Sequence, residues 1–203
     1  MAKLRLGVLA SGRGSNLQAI IDNIEAGKLD AEVKVVICDK PAAFALERAK
    51  NHGILGKYVN PRDYAGKAEY EQAVVQSLKE NQVELVVLAG YMRLVRNVLL
   101  EAFPDRVMNI HPALLPSFPG AHGQRDAVNY GVRFSGCTVH FVDGGMDTGP
   151  IVLQAVVPVT QDDDEDSLAA RILKEEHKLY SRAIQLYAEG RLKVEGRKVR
   201  ISD

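Results

Sequence analysis

The sequence predicts an α/β protein, a single domain on a Rossmann-like, mostly parallel twisted sheet with helices on both faces. Three observations carry that expectation. Apolar, β-branched-rich runs at 4–10 (LRLGVLA), 32–38 (EVKVVIC) and 83–89 (VELVVLA) have the near-continuous hydrophobicity of strands buried on both sides. Helical spacing lies between them, so the first three or four units read as βα in order. A chain of 203 residues that is 46% hydrophobic is also long enough to close a full core without being divided.

Leu17, Ile20, Ile21 and Ile24 repeat at helical spacing after the first strand, and Gly27 stands where a helix C′ residue belongs. Residues 41–51, opened by Pro41, read as a second helix, and 64–80 as a third with Tyr70, Val74 and Leu78 on one face. A strand is expected at 106–110 and two later strands at 134–142 and 151–159, with the turn-rich DGGMDTGP between them. The acidic run QDDDED (161–166) reads as a solvated loop entering a helix N-terminus, where the helix dipole favours negative charge. In the last helix Ile172, Leu173, Tyr180, Ala183, Ile184 and Tyr187 form an apolar stripe, with His177 expected to face solvent.

Composition narrows the function. Lys plus Arg and Asp plus Glu each total 26, so bulk charge favours neither nucleic acid nor an anionic membrane, and small molecules are the expected partners. No stretch approaches the roughly 18 unbroken apolar residues of a membrane span, and the start lacks the apolar core of a secretory signal. A cytoplasmic protein is expected. Cys38 and Cys137 sit in strand-like contexts and read as buried, reduced thiols without a role. The five histidines show no zinc-type spacing, and no metal is expected.

Four motifs bear chemistry. Ser11-Gly12-Arg13-Gly14-Ser15-Asn16 joins strand 1 to helix 1. Ser15 is expected to cap that helix, with Gln18 completing a capping box, while the glycines let backbone N–H groups approach a phosphate at the positive helix end. The competing reading is a purely structural βα turn. The loop lacks a Walker ending and the third glycine of a dinucleotide fingerprint, so a monophosphate fits best.

In the second motif, NIHPALLPSFPG (109–120), Asn109 and His111 share one side of a strand by period-two alternation, near the sheet edge where open α/β folds bind ligands. An amide donor beside an imidazolium suits a carbonyl becoming an oxyanion, although an isolated Asn-x-His is more often structural. The prolines stiffen the backbone beyond His111, and Leu115-Pro116 is a candidate cis bond. Asp147, on the glycine-rich loop, is placed to raise the pKa of His111 and fix its orientation, or is an ordinary turn aspartate. Glu176 falls within the apolar stripe of the last helix, where a carboxylate needs donors such as sugar hydroxyls or a lysine.

Taken together, ASGRGSNLQAII, LAGYMRLV, NIHPALLPSFPG, HFVDGGMDTGPIV and EEHKLY closely resemble the glycinamide ribonucleotide formyltransferases, folate-dependent enzymes of purine biosynthesis, over essentially the whole chain. The resemblance implies a formyltransferase fold in which residues to about 100 bind phosphate and ribonucleotide and those from about 101 carry catalysis and folate binding. It implies a catalytic trio of Asn109, His111 and Asp147 and a phosphate loop of Gly14, Ser15 and Asn16. Glu176 would contact the ribose, and Lys67, Met92, Arg93, Leu94, Val95 and Asn109 would contact folate. The Ala121–Arg125 stretch, with His122, Gln124 and Arg125, receives no definite contact. The co-substrate implied is 10-formyltetrahydrofolate, without metal, in a monomer or homodimer. Relatives that formylate tRNA or hydrolyse formyl-folate carry further domains for which this length is expected to leave no room, and a non-catalytic binding module is the rival from another class.

Overall fold

A computed structural model describes residues 3–203 and divides them into two compact units, one ending at Met108 and the other Asn109–Asp203. In the first, β1 (Leu4–Ala10), β2 (Ala31–Cys38), β3 (Leu55–Tyr58) and β4 (Leu85–Leu88) lie in the order β3-β2-β1-β4, and every pair is parallel. Helices α1 (Ser15–Glu25), α2 (Phe44–Asn51) and α3 (Lys67–Glu80) are the crossovers, and α4 (Asn97–Ala102) comes after β4. The near-continuous apolar runs are what this arrangement demands: Leu6, Val8, Val35, Val36, Ile37, Leu85, Val86 and Val87 are all fully buried. Gly7 permits the closest approach, since a Cβ there would lie 2.4 Å from Leu78 Cδ2 of α3.

The second unit is mixed. β5 (Val107–His111) straddles the boundary, and β6 (Phe134–Phe141) and β7 (Ile151–Pro158) pair antiparallel, with a register shift between Val139 and His140. β8 (Leu192–Glu195) and β9 (Lys198–Ile201) form a hairpin, and β9 pairs parallel to β7. α5 (Gly123–Tyr130) precedes β6, and α6 (Glu165–Ala188) packs on β6 and β7. The acidic run does enter a helix: Asp164 caps α6 in a capping box with Ser167, each side chain bonding the other's backbone N–H.

Several expected boundaries move. The second helix begins at Phe44, because Pro41–Ala43 is a turn closed by Ala43 N–H to Lys40 O (3.2 Å). The third begins at Lys67, since Gly66 is extended and residues 61–63 form a separate 3₁₀ turn. Ser15 does not cap α1. Gly14, in the left-handed region at φ 67°, is the N-cap, and Gln18 turns its side chain to Asp22 and His52. Gly27, also left-handed, ends the helix as expected. His177 is half-buried, not solvent-facing. Among the described residues no helix is long and apolar enough to cross a membrane.

Candidate active site

The second unit gathers four polar side chains that the sequence holds far apart. β5 supplies Asn109 and His111, β6 supplies His140, and the loop after β6 returns Asp147. One Asp147 carboxylate oxygen lies 3.4 Å from His111 Nδ1 and accepts from Gly120 N–H at 2.8 Å; the other lies 3.6 Å from His140 Nε2. Asn109 Nδ2 is 3.2 Å from His140 Nε2, so the amide is tied into the cluster through the second imidazole. His140 Nδ1 donates to Phe141 O (2.9 Å), which leaves Nε2 as the nitrogen facing Asn109 and Asp147.

Asp147 holds this position through an unusual backbone. Its φ of 54° is left-handed, a conformation that costs a non-glycine residue about 1–3 kcal/mol and persists only where neighbours over-determine it. Here Gly149 passes so close to Phe141 that a Cβ would fall 1.7 Å from its carbonyl oxygen, and Asp143 accepts from Gly145 N–H and Thr148 Oγ1. The facing wall, 112–118, is pinned by more than its prolines. Thr138 Oγ1 donates to Ala113 O and accepts from Leu115 N–H, and Gln154 Nε2 donates to both Leu115 O and Thr138 Oγ1. Leu115-Pro116 is cis.

His111 is 3% exposed, and both its ring nitrogens face acceptors: Phe118 O at 2.8 Å from Nε2 and Asp147 across from Nδ1. Those partners and Asp147 in particular favour imidazolium, yet burial outweighs them, with a small further push from His140, and the pKa of His111 lies below the ordinary histidine value. Burial thus outweighs the carboxylate: Asp147 does act to raise the pKa of His111, as its sequence position suggests, but it offsets only part of the desolvation. Burial acts to raise Asp147, but the His140 imidazole beside it, the hydrogen bond from Gly120 N–H and the charge of His111 prevail, and its pKa lies below the usual carboxylate range. Together they set a carboxylate beside an imidazole that burial makes easier to deprotonate than usual. Glu176 is buried on α6, in keeping with its place in the stripe, near enough to Cys137 for its charge to act there. Burial, with that charge, pushes the Cys137 thiol up to about 12; burial with Asp39 does the same to Cys38.

The first unit holds two further elements. In the loop 11–16, Gly12 O accepts from Ala45 N–H (3.1 Å) and Arg13 O from Arg48 Nε (2.9 Å), so α2 fixes the turn. A Cβ on Gly14 would lie 2.8 Å from Ala45 Cβ. Gly14, as the N-cap, has no side chain with which to cap α1, whose first intrahelical bond runs from Gln18 N–H to Gly14 O; a helix start of this kind is chemically suited to an anion. Separately, Lys67, Met92, Arg93 and Leu94 line one cavity of about 240 Å³ together with Tyr70, Glu71, Tyr91 and Arg96. Val95 does not line it. Burial raises the pKa of both Tyr70 and Tyr91, whose hydroxyls pair at 2.9 Å, and the Arg93 guanidinium stacks over the Tyr70 ring. His122 is the residue before α5, Gln124 and Arg125 lie on it, and Arg125 pairs with Asp126.

His140 and Glu71 are not singled out by sequence reasoning. The signal for His140 is its place two residues beyond Thr138 near the end of a strand that is buried almost throughout. For Glu71 it is a carboxylate within the buried face of α3, the same sign that marks Glu176. Among the described residues, no group of three His, Cys, Asp or Glu side chains is arranged to hold a metal ion.

The chain is similar to known proteins over most of its length. The chain is 42% identical over 181 residues to the phosphoribosylglycinamide formyltransferase of Bacillus subtilis, covering 89% of this chain and 93% of that protein. It is 45% identical over 188 residues to the trifunctional purine biosynthetic protein adenosine-3 of Drosophila melanogaster, of which it spans 14% of the length. The crystal structure of glycinamide ribonucleotide transformylase 1 from Symbiobacterium toebii superposes with a TM-score of 0.98 at 51% identity, over 100% of this chain and 95% of that one. Residues 4–184 match the family model of the formyl transferases, and the chain belongs to that family.

Proposed function

We propose that this protein transfers the formyl group of 10-formyltetrahydrofolate to the primary amine of glycinamide ribonucleotide, giving formylglycinamide ribonucleotide in purine synthesis. The observation that carries this reading is the Asn109–His140–Asp147–His111 cluster in a chain of the formyl transferase family. The amine nitrogen attacks the formyl carbon and the carbonyl π pair moves to oxygen. Collapse of the tetrahedral intermediate breaks the bond to N10, and the proton lost by the amine is delivered to that nitrogen. Charge therefore develops on the formyl oxygen, and a proton must travel.

Asn109 donates to the oxyanion with the N–H that His140 does not engage. His111 supplies the mobile proton. Burial, which holds its pKa below the ordinary histidine value, makes the imidazolium a readier proton donor, and the negative charge growing on the formyl oxygen favours its charge in the transition state more than in the ground state. The formyl oxygen competes with Phe118 O for the Nε2 proton. An oxyanion donor is worth about 10²–10³-fold and general acid–base help about 10²–10⁴-fold. The uncapped start of α1 with Gly14, Ser15 and Asn16 receives the substrate phosphate, and Glu176 accepts from ribose hydroxyls. The cavity lined by Lys67 and Met92–Leu94 takes part of the folate.

The test is a formyl-transfer assay with both substrates. Formylglycinamide ribonucleotide and tetrahydrofolate should appear in equal amounts. Release of formate that does not depend on the ribonucleotide would instead mark a formyl-folate hydrolase, and absence of turnover with substrate binding would mark a non-catalytic module.

A further inference from the structure

Residues 90–96 connect β4 to α4 without regular structure, and Met92 and Leu94 are largely exposed. A segment of this kind orders itself only if its backbone groups find partners elsewhere. At its start, Met92 N–H donates to Ser11 Oγ at 2.9 Å, and Ser11 N–H donates to Gly90 O at 3.0 Å. At its end, the Glu71 carboxylate accepts Arg96 N–H at 2.5 Å and Leu99 N–H at 3.3 Å. Between these, the Tyr91 hydroxyl meets Tyr70, the residue before Glu71 on α3.

The chemistry at the far end is a cap supplied from another helix. Arg96 is the N-cap of α4 and makes no side-chain cap bond; arginine has no acceptor with which to make one. The N–H of Leu99, which an Asp or Ser at the cap would ordinarily satisfy, is left to Glu71. A carboxylate 6% exposed in the face of α3 is costly unless its oxygens are bonded, and both are bonded to the backbone where segment 90–96 becomes α4. For α3 alone, an apolar residue at this position would serve as well.

We infer that Glu71, with Ser11 at the opposite end, is a positioning residue that holds segment 91–96 in the conformation that binds folate. The inference rests on the proposed reading of Met92, Arg93 and Leu94 as folate contacts. Glu71 borders the cavity, but both its carboxylate oxygens are turned to the backbone N–H groups of Arg96 and Leu99, so it acts on the ligand through the segment; with Ser11 it sets the fraction of molecules in which the segment is already shaped for folate, and apparent affinity scales with that fraction.

Glu71→Gln keeps the shape and one acceptor oxygen, while its amide NH₂ meets the second backbone donor. Hydrogen exchange and calorimetric titration with tetrahydrofolate, both on the full-length chain, are read together with steady-state KM values. In Glu71→Gln the amides of Arg96 and Leu99 should exchange faster, tetrahydrofolate should bind about tenfold more weakly, and KM for the formyl-folate should rise alike, as for loss of a bond to a charged acceptor. KM for the ribonucleotide and kcat should stay within about twofold, since only folate binding draws on the segment. Ser11→Ala, a milder change, should speed exchange at Met92 and weaken tetrahydrofolate about threefold; it keeps the test decisive if Glu71→Gln does not fold. Unchanged exchange would mean there is no clamp. Faster exchange with unchanged tetrahydrofolate affinity would leave the clamp but remove folate from the segment, and equal rises in both KM values would reduce Glu71 to a structural residue. Wild-type protein that binds no tetrahydrofolate would instead overturn the proposed function itself.

Discussion

The loop 11–16 and the cluster around Asp147 both come from irregular chain after a strand, and they are built on opposite principles. The loop contributes backbone. Gly14 is left-handed, its neighbours' carbonyls are held by Ala45 and Arg48, and on the proposed reading the start of α1 is what meets the ligand. The cluster contributes side chains: two imidazoles, an amide and a carboxylate delivered by β5, β6 and a loop that folds back through Gly149. A backbone site is written in contiguous residues and binds through a fixed field. A side-chain cluster is assembled only when the unit folds, and its protonation depends on the burial that folding creates. The first should fail in binding when altered and the second in turnover.

The sharpest separation is expected from Asn109→Ala. On the proposed mechanism it removes an oxyanion donor and leaves the loop 11–16 untouched, so kcat should fall on the order of 10²–10³-fold while KM for both substrates changes little. The variant also frees His140 Nε2 from its amide neighbour, a loss confined to the cluster. Near-normal kcat in a folded variant would take Asn109 out of the chemistry.

The mirror-image change is Gly14→Val. A valine at φ 67° is strained, and its Cβ would stand 2.8 Å from Ala45 Cβ. The clash is with α2, not with the incoming phosphate, so the loop itself must move and the helix start moves with it. KM for the phosphorylated substrate should rise at least about tenfold, with a stability loss of about 1–3 kcal/mol and a smaller effect on kcat. A change in folate KM alone, measured beside a thermal melt, would show that the loop serves the other substrate.

The same contrast explains what is legible in the sequence. Gly14 and its neighbours announce a tight turn into a helix because glycine spacing is a local signal, although the cap falls at Gly14 and not at Ser15, one residue later. The strands β1, β2 and β4 are legible because burial on both faces leaves unbroken apolar runs. β3 and the hairpin β8–β9 are not, being four-residue strands whose side chains are half-exposed or exposed. Asn109, His111 and Asp147 stand out by residue type. His140 does not, because a histidine in an apolar strand reads as core until the register shift at Val139/His140 and the returning loop set it against Asp147. The charge of His111 is unreadable for a related reason: desolvation is a property of the packed unit, and it opposes and exceeds the carboxylate that the sequence does reveal.

Asp147→Asn tests that last balance and should give the smallest effect of the three. Burial holds the pKa of His111 down and Asp147 is the chief influence holding it up. An asparagine that keeps its oxygen on Gly120 N–H turns its NH₂ to His140 Nε2, and His111 Nδ1 then faces a neutral amide oxygen in place of a carboxylate, which favours a neutral ring. The pKa of His111 must then fall further below its ordinary value. On the proposed mechanism imidazolium is the form of His111 that delivers the proton, so a lower pKa moves the alkaline limb of the kcat profile toward acid. Activity at pH 8 should drop about fivefold or more relative to wild type, and the loss should shrink as pH approaches 6. Folding adds a separate, opposite marker. A histidine with a depressed native pKa binds protons more readily when unfolded, so stability is complete above about pH 6.5 and declines as pH falls through the window down to the native pKa. The variant, with a still lower native pKa, should extend that decline to lower pH. A pH–rate series at saturating substrates, paired with melts across the same range, reads both. If kcat falls equally at every pH and the acid limb of stability is unmoved, Asp147 acts only by holding Gly120 and its own loop in place, and the charge of His111 is set by burial alone.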